Sequence, residues 1–272
     1  MTASAPAIVI LGQGSLATAQ RLQQLYPDAR IHGLAGRVAG ADLAYDDFGA
    51  TLRGLYQSDT PIIALCAAGI IIRSLAAVLL EKGAEPPVLA VAEDASAVVP
   101  LLGGLAGVNV MARAIGEHLQ VSAAITTSGE LRFGTCLLNP PQGYALDDLG
   151  QGKRFVSDLL AGASVRIEGA APWLAEARLP VDEHAQLTIR VASELRAPAS
   201  NDLLIYPRSV LAAVEGECGD VAAAVRLAFE AAGLALPALA CVLAADTQMA
   251  NGALHEAARQ LGAPLRFAPA QP

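Results

Sequence analysis

Short apolar segments alternate with segments of helical periodicity through the first half of the chain. Buried strands are predicted at 7–11, 61–66, 87–92 and 122–127, and helices at 15–25, 48–57, 70–83 and 107–119. Strands that alternate with helices in this way are typical of a mostly parallel open sheet with helices on both faces. The pattern therefore predicts an α/β fold.

Two polar segments interrupt this alternation in the second half of the chain. The segment 137–153, rich in Pro, Gly and Asp, predicts a linker, and the segment 196–202 ends a weakly patterned, mixed middle region. The alternation then returns, with strands predicted at 210–214, 239–246 and 264–268 and helices at 220–232 and 250–261. The predicted parts are an α/β domain at 1–136, a linker and small mixed middle region at 137–203, and a small α/β module at 204–272.

Composition and net charge limit the kinds of protein that this chain can be. Hydrophobic residues make up 54% of the 272 residues and charged residues 16%, which is enough apolar surface to bury a sizeable core. The net charge of −8 excludes a general nucleic-acid binder, which needs a basic face. The four cysteines are scattered without a CxxC pair, so neither a metal site nor a disulfide framework is expected. Together with an amino terminus that lacks a secretory signal, this predicts a cytoplasmic protein.

The longest apolar segment, 61–80, is long enough to cross a bilayer. Three residues argue against that interpretation: Pro61 at its start, Gly69 as a break, and the charged Arg73 in its middle. A buried strand followed by a helix is the favoured interpretation, and no membrane partner is expected.

The first glycine-rich segment is GQGSLA at 12–17, directly after a predicted strand and at the start of a predicted helix. It fits the G-x-G-x-x-A pattern with which dinucleotide-binding folds bring a pyrophosphate to a helix N-terminus. The acidic residue expected about 20 positions later is missing, although Arg37 is suited to a 2′-phosphate. Two interpretations stay open: a tight turn, which is favoured, and an NADP-dependent reductase that uses Gly12 and Gly14.

A small-residue turn and an arginine follow the predicted strand at 61–66. Ala67, Ala68 and Gly69 lie where a parallel strand ends and a helix begins, the place at which open α/β sheets bind ligands. Arg73, inside the helix, carries a guanidinium suited to a carboxylate that the helix amides hold. An exposed arginine that extends past an apolar helix is the equally weighted alternative.

The segment AEDASAVVPLLGGLAG, residues 92–107, combines carboxylates with glycines. Glu93 directly follows a predicted strand and is a candidate base, whereas its neighbour Asp94 fits a solvated turn better. The glycines bring backbone N–H groups near a helix start, and such a loop binds an anionic or carbonyl oxygen without a side-chain charge. These glycines are Gly103, Gly104 and Gly107.

Residues 66–115 resemble the amino-terminal domain of the CbiG family of cobalamin biosynthesis. The family carries a Gly-Ile-x-x-Arg run, a downstream Lys, an acidic residue before Pro, an acidic pair and a Pro-Leu-Leu-x-Gly-His-x-Gly-x-Asn run. Here these fall on Gly69, Ile70, Arg73, Lys82, Glu85-Pro86, Glu93-Asp94, Pro100-Leu101-Leu102, Gly104, Gly107 and Asn109. The segment 124–134 resembles the Ile-Thr-Thr segment of the family, and the carboxyl-terminal module resembles one that also occurs alone as CobE. The opening of the chain is most similar to forms fused ahead of the precorrin-3B methyltransferase, which contracts the corrin ring.

The resemblance implies a lactone hydrolase. Family members open the δ-lactone of cobalt-precorrin-5A with loss of acetaldehyde and give cobalt-precorrin-5B. The tetrapyrrole is then the expected partner, the cobalt belongs to the substrate, and neither a cofactor nor a resident metal is expected. This chemistry needs a base, an oxyanion site and groups that bind a polyacid macrocycle, and all of these are expected at one edge of the sheet. From this chemistry we expect Glu93 and Asn109 to be catalytic. The residues expected to bind the substrate are Gly69, Arg73, Lys82, Gly103, Gly104, Gly107 and Asp246.

Three departures from the family pattern bear on activity. Leu105 stands where the family has a His, Gln248 stands where the carboxyl-terminal module has a Lys, and the glycine turn at 214–220 is shortened. Losing the His removes the side chain best suited to proton transfer near neutral pH, and His118 is too far along the next helix to replace it. A second interpretation is therefore a catalytically degenerate corrinoid carrier or scaffold that works with the precorrin-3B methyltransferase.

Overall fold

The computed structural model describes residues 5–79, 85–197, 199–215 and 219–269. The chain divides between residues 126 and 127 into two compact units, an amino-terminal and a carboxyl-terminal one. The predicted division into 1–136, 137–203 and 204–272 stays a prediction.

Within the described residues, the amino-terminal unit is built on a six-stranded sheet. Its strands are β1 (Ala7–Ile10), β2 (Arg30–Leu34), β3 (Leu43–Tyr45), β4 (Ile62–Leu65), β5 (Val88–Val91) and β6 (Val98–Leu102), and its helices are α1 (Leu16–Leu25), α2 (Phe48–Gln57), α3 (Ala68–Leu75) and α4 (Val108–Leu119). The spatial order is β3-β2-β1-β4-β5-β6, and every neighbouring pair is parallel except β5 and β6. The predicted mostly parallel sheet is confirmed.

Helices cover both faces of this sheet. One core joins α1 and α4 to one face of the sheet, and a second core joins α2 and α3 to the other. Because β1, β4 and β5 are covered on both sides, every residue in these strands is buried. That double burial is the reason why these strands are continuous apolar runs in the sequence, and the predicted arrangement of helices on both faces is confirmed.

The strand order reverses beside β1. The chain moves outward from β1 through β2 to β3, then crosses back to β4 and moves outward in the opposite direction to β5. The strands on either side of the reversal are followed by helices on opposite faces, α1 after β1 and α3 after β4. In open α/β sheets, the diverging loops at such a point leave a crevice at the carboxyl ends of the strands, and ligands bind there.

The last strand of the sheet, β6, turns the chain around. A turn with Ala95 at φ 63° follows β5, and β6 then runs back antiparallel, so that Leu102 pairs with Val88. Pro100 is tolerated within β6 because this is an edge strand, on which one row of backbone groups needs no partner strand. The sequence pattern does not predict β6, and its direction decides where the following glycines lie.

The carboxyl-terminal unit contains a four-stranded sheet and a three-stranded sheet among its described residues. Its strands are β7 (Tyr144–Leu146), β8 (Val165–Glu168), β9 (Leu187–Val191), β10 (Asp202–Pro207), β11 (Val210–Val214), β12 (Leu239–Ala245) and β13 (Leu265–Ala268), and its helices are α5 (Ser128–Phe133), α6 (Leu149–Leu160), α7 (Pro172–Ala175), α8 (Val221–Ala231) and α9 (Gly252–Leu261). The mixed sheet has the order β7-β10-β9-β8 with β7 antiparallel, and the parallel sheet has the order β11-β12-β13. The small mixed region and the small α/β module are both confirmed as parts of the fold.

Two predicted segments differ from the structure. The strand predicted at 122–127 is wrong, because within that segment only Ala123 forms an isolated bridge, to Val98. The segment 137–153 is more structured than a linker, since it contains β7 and the first residues of α6. Asp148 starts α6 by accepting a hydrogen bond from the amide of Gln151, and a composition rich in Pro, Gly and Asp therefore indicates a helix cap here.

The apolar segment that begins at Pro61 folds as β4 followed by α3, which confirms the strand-and-helix interpretation. The helix α3 ends at Leu75, earlier than predicted, and residues 80–84 lie outside the described residues. Across the described ranges, the helices are too short or too polar to span a bilayer.

Candidate functional site

Three loops meet at the carboxyl edge of the amino-terminal sheet. They are residues 12–15 after β1, 66–69 after β4 and 92–94 after β5. The last residues of these three strands pair with one another in register, so the loops that follow them lie side by side. The structure thus brings Gly69 and Glu93 to the edge at which the strand order reverses.

The turn from β4 into α3 offers an uncapped helix N-terminus and a guanidinium. Ala67 is the N-cap residue, with an extended φ of −61° and ψ of 131°, and it has no polar side chain with which to cap the first amides of α3. The exposed side chain of Arg73 points back along the helix, because a Cβ atom at Gly69 would lie only 3.3 Å from its Nη1. The first turn of α3 and the Arg73 guanidinium are therefore close enough to hold one carboxylate together.

Glu93 is held at the same edge by its backbone. Its carbonyl oxygen accepts a hydrogen bond of 2.9 Å from Oγ1 of Thr18, which fixes the segment after β5 against α1. Its side chain is exposed, and its negative charge acts on the thiol of Cys66 at the end of β4. Burial, and to a smaller extent this charge, raises the pKa of Cys66 to about 11. Cys66 is therefore a neutral thiol near pH 7, and the role of Glu93 as a base stays a prediction.

The glycine loop, residues 103–107, lies at the opposite edge of the sheet, where the parallel strands begin. We call this edge the amino edge. It follows Leu102, which pairs with Val88 at the start of β5, whereas Glu93 comes after the end of β5. At about 3.3 Å per residue, the length of β5 alone separates the two ends by about 10 Å. Asn109, in the first turn of α4, lies beyond the glycine loop. The prediction that all site groups share one edge is wrong for this loop, because the antiparallel β6 carries the chain back to the amino edge.

Two of the three predicted site glycines in the glycine loop have a structural reason to be glycine. Gly103 has φ 82°, and a Cβ atom at this position would lie 2.5 Å from the carbonyl oxygen of Pro86. Gly107 has φ 91° and is the N-cap residue of α4. Gly104 has neither restriction, since its φ is not positive and a Cβ atom there would meet no described atom within 4 Å. Backbone geometry therefore accounts for Gly103 and Gly107 before any ligand is considered.

The glycine loop at this edge offers backbone amides without a titratable side chain of its own. Leu105, which stands in place of the family His, is 42% exposed. Asn109 is 4% exposed and is buried in the first turn of α4. Residues 103–109 contain no titratable side chain. This segment is suited to binding an oxygen atom, but it has no side chain with which to activate water near neutral pH.

The remaining predicted site residues stay predictions. Lys82 lies outside the described residues, as do residues 216–218 of the shortened glycine turn. In the carboxyl-terminal unit, Asp246 is exposed and directly follows β12, and Gln248 ends the short 3₁₀ turn that Asp246 begins. Asp246 thus lies at the carboxyl end of a parallel strand, as predicted from the sequence pattern.

Two residues of the carboxyl edge were missed by sequence reasoning. Ser15, between β1 and α1, is fully buried, and its hydroxyl has no hydrogen-bond partner among the described residues. Cys66 is buried at the end of β4. The sequence gives a signal at both positions, because Ser15 follows the glycines Gly12 and Gly14, and Cys66 follows a buried apolar strand. Only the strand order shows that the two residues belong to one edge of the sheet.

Comparison with known proteins finds a family model and a solved structure to which this chain is similar. A solved chain from Sulfolobus solfataricus, described as a cobalamin biosynthesis protein G homolog, is similar with a TM-score of 0.43 and 13% sequence identity, over 96% of this chain and 79% of that chain. No curated protein matches the chain. Residues 50–130, which contain every predicted site residue except Asp246, match the family described as Cobalamin synthesis G N-terminal.

Proposed function

We propose that this protein acts in cobalamin biosynthesis and binds a cobalt-precorrin at the carboxyl edge of its amino-terminal sheet. The observation that carries this proposal is the match of residues 50–130 to the Cobalamin synthesis G N-terminal family. That segment supplies the turn at Gly69, the guanidinium of Arg73 and the carboxylate of Glu93, three groups of the carboxyl edge. A precorrin carries several carboxylates around its macrocycle, and the guanidinium of Arg73 is suited to one of them.

The reaction that we infer is hydrolysis of the δ-lactone of cobalt-precorrin-5A. Water adds to the lactone carbonyl and the ring C–O bond breaks, which gives a carboxylate and a hydroxyl group on the two-carbon fragment. This hydroxyl then loses its proton and becomes the C=O of acetaldehyde as the C–C bond between the fragment and the macrocycle breaks. The macrocycle keeps the electron pair of that bond and takes up a proton, which gives cobalt-precorrin-5B. Glu93 is the proposed base that takes a proton from the attacking water, because it is the exposed carboxylate beside the turn of α3. Cobalt takes part as a component of the substrate.

The negative charge that develops on the lactone oxygen needs a donor near Glu93. The glycine loop is at the other edge of the sheet, so the uncapped amides at the start of α3 are the proposed oxyanion donors. Gly104 and Asn109 are then proposed to contact a different part of the ligand, and Lys82 to bind a further carboxylate. Each of these roles is separable by substitution.

The test is anaerobic incubation of the purified protein with cobalt-precorrin-5A, with acetaldehyde and the visible spectrum followed together. Glu93→Gln is expected to slow acetaldehyde release by at least tenfold and to leave pigment binding within about twofold, because the amide keeps the shape but not the base. Arg73→Ala is expected to weaken pigment binding by about tenfold, the effect of losing one charge-assisted hydrogen bond.

Asp94→Asn is the matched control for Glu93→Gln. Asp94 is the next carboxylate in the chain, and its Oδ1 accepts a 3.0 Å turn hydrogen bond from the amide of Ser96, which an Asn side chain retains. We expect this variant to keep the wild-type rate. Equal losses in both variants would point to damage to the turn and contradict the role of Glu93, and the absence of any spectral change on mixing would overturn the proposal as a whole.

A second candidate function is a corrinoid carrier or scaffold without lactone hydrolysis, working with the precorrin-3B methyltransferase. Leu105 in place of the family His, and the distance between Glu93 and the glycine loop, favour it. It predicts that pigment binds, that no acetaldehyde appears over many hours, and that Glu93→Gln leaves the affinity unchanged.

A further inference from the structure

The loop between β1 and α1, residues 12–15, has no role in the proposed reaction and lies outside the family match at 50–130. It follows β1, whose neighbours are β2 and β4, and it is therefore one of the two loops at the reversal of strand order. It leads into α1, a helix of ten residues. The loop thus opens onto the part of an α/β sheet where ligands bind.

The two glycines of this loop are not explained by the protein itself. Gly12 has an extended φ of −151°, and the φ of Gly14 is not positive, so neither position excludes a side chain by conformation. A Cβ atom at Gly12 or Gly14 would meet no described atom within 4 Å. Gly103 is the contrast, because it has both a positive φ and a close backbone neighbour. At Gly12 and Gly14 the missing side chains leave open space over the backbone amides of the loop.

Ser15 adds an independent observation. It is the N-cap residue of α1, but at φ −83° and ψ −9° its side chain makes no capping hydrogen bond. The residue is 0% exposed, and its Oγ has no partner among the described residues. Burying a hydroxyl without a partner is unfavourable, and such a group in a folded protein calls for a partner from outside the chain. The hydroxyl lies at the amide end of α1, where that partner would be an anion.

The loop that carries Arg37 is tied to this loop. Oε1 of Gln13 accepts a hydrogen bond of 2.7 Å from the amide of Ala39, and its Nε2 donates one of 3.2 Å to the carbonyl oxygen of the same residue. These two bonds tie the loop after β1 to the loop after β2, which carries Arg37. The Arg37 side chain is exposed and makes no ion pair with the described residues.

We propose that residues 12–15 form a binding site for the oxyanion group of a small molecule, with Arg37 as its second charge partner. The group is a phosphate or a carboxylate, which present the same set of acceptor oxygens to helix amides, to a serine hydroxyl and to a guanidinium. A nucleotide would supply the phosphate, and a tetrapyrrole would supply the carboxylate. The site does not depend on the proposed lactone hydrolysis.

The test measures binding of two probes, NADP⁺ and uroporphyrin, to the full chain by calorimetry. Gly14→Val adds a side chain whose Cβ atom would meet no described atom within 4 Å, so the variant is expected to fold and to bind the accepted probe at least tenfold more weakly. Gly54→Val is the matched control, since Gly54 is exposed in α2 and a Cβ atom there also meets no described atom within 4 Å. We expect it to stay within twofold of the wild type.

Ser15→Ala gives a readout that a merely structural residue would not give. Without a probe, its melting temperature is expected to equal or exceed that of the wild type, because the variant removes a buried hydroxyl that has no partner. Its affinity for the accepted probe is expected to fall by at least threefold, and Arg37→Ala is expected to lower it by about tenfold. A lower melting temperature for Ser15→Ala with unchanged affinity would contradict the proposal.

The two probes distinguish the source of the group. Binding of NADP⁺ that Gly14→Val weakens assigns a nucleotide phosphate, and binding of uroporphyrin that Gly14→Val weakens assigns a tetrapyrrole carboxylate. Uroporphyrin that binds the wild type and Gly14→Val equally, together with no binding of NADP⁺, would overturn this site and leave the proposed precorrin binding standing. Binding of neither probe at millimolar concentration would also overturn it.

Discussion

Replacing Gly103 by Ala tests the position of the glycine loop at the amino edge. Gly103 has φ 82°, and an ideal Cβ atom would lie 2.5 Å from the carbonyl oxygen of Pro86 and 2.7 Å from Cα of Pro87. Both neighbours are backbone atoms directly before β5, so they cannot rotate away as the end of a flexible side chain can. Gly103→Ala is therefore expected to destabilise the amino-terminal unit.

The size of the effect follows from two contributions. The left-handed backbone conformation costs an alanine about 1–2 kcal/mol relative to glycine, and forcing a methyl group into a packed site costs about 1–3 kcal/mol more. We expect a loss of about 3 kcal/mol in the free energy of unfolding. Since 1 kcal/mol shifts the melting temperature by about 2–4 °C in a protein of 150–250 residues, this corresponds to about 6–12 °C.

Gly104→Ala is the matched control, one residue away in the same loop. Its φ is not positive, and its Cβ atom would meet no described atom within 4 Å, so a change below about 0.5 kcal/mol is expected. Urea unfolding followed by circular dichroism measures both variants, with thermal melting as a second readout. Equal stability of the two variants would refute the left-handed conformation at Gly103 and its contact with Pro86, and with them the loop at the amino edge.

Three further outcomes rest on single contacts. The pKa of Cys66 is raised from 9.0 to about 11, so the stability that its neutral thiol contributes is complete below pH 9 and is lost as the pH rises through 11. Alkylation followed by mass spectrometry should show this thiol reacting slowly at pH 8. Tyr45→Phe should cost about 1 kcal/mol in urea unfolding, since the buried hydroxyl donates a 2.8 Å hydrogen bond to the carbonyl of Ile10. Asp47→Ala should cost about 1 kcal/mol, because its carboxylate caps α2 at the amide of Ala50, whereas Asp47→Asn should cost less than half as much.

The fold could be predicted where burial imposes one pattern on the sequence. The strands β1, β4 and β5 are buried on both faces, which makes each a continuous apolar run. The helix α2 has the predicted bounds, because Asp47 caps its start and its apolar residues repeat with helical period. In these elements the local sequence and the tertiary environment favour the same structure.

The failures have a different cause. The strand β6 contains Pro100 and is only partly buried, so neither its composition nor its periodicity distinguishes it from a loop. The predicted strand at 122–127 has an apolar, β-branched composition, but just one of its residues, Ala123, forms a bridge. Local composition does not specify which segment fills an edge position, because a partner strand that is distant in sequence decides it.

The same limit explains why the candidate site was assembled incorrectly from the sequence. Glu93 and Gly103 are close neighbours along the chain, and proximity in sequence suggests one loop group. A single reversal at Ala95 converts that proximity into separation across the sheet. Conversely, Ser15 and Cys66 are far apart in sequence, and the parallel pairing of β1 with β4 brings their loops together. The loops that carry Gly69, Glu93 and residues 12–15 therefore lie side by side at the carboxyl edge. Gly14→Val changes the carboxyl edge and Gly104→Ala changes the amino edge. Measuring ligand affinity in both variants therefore distinguishes a ligand bound at one edge from a ligand bound at the other.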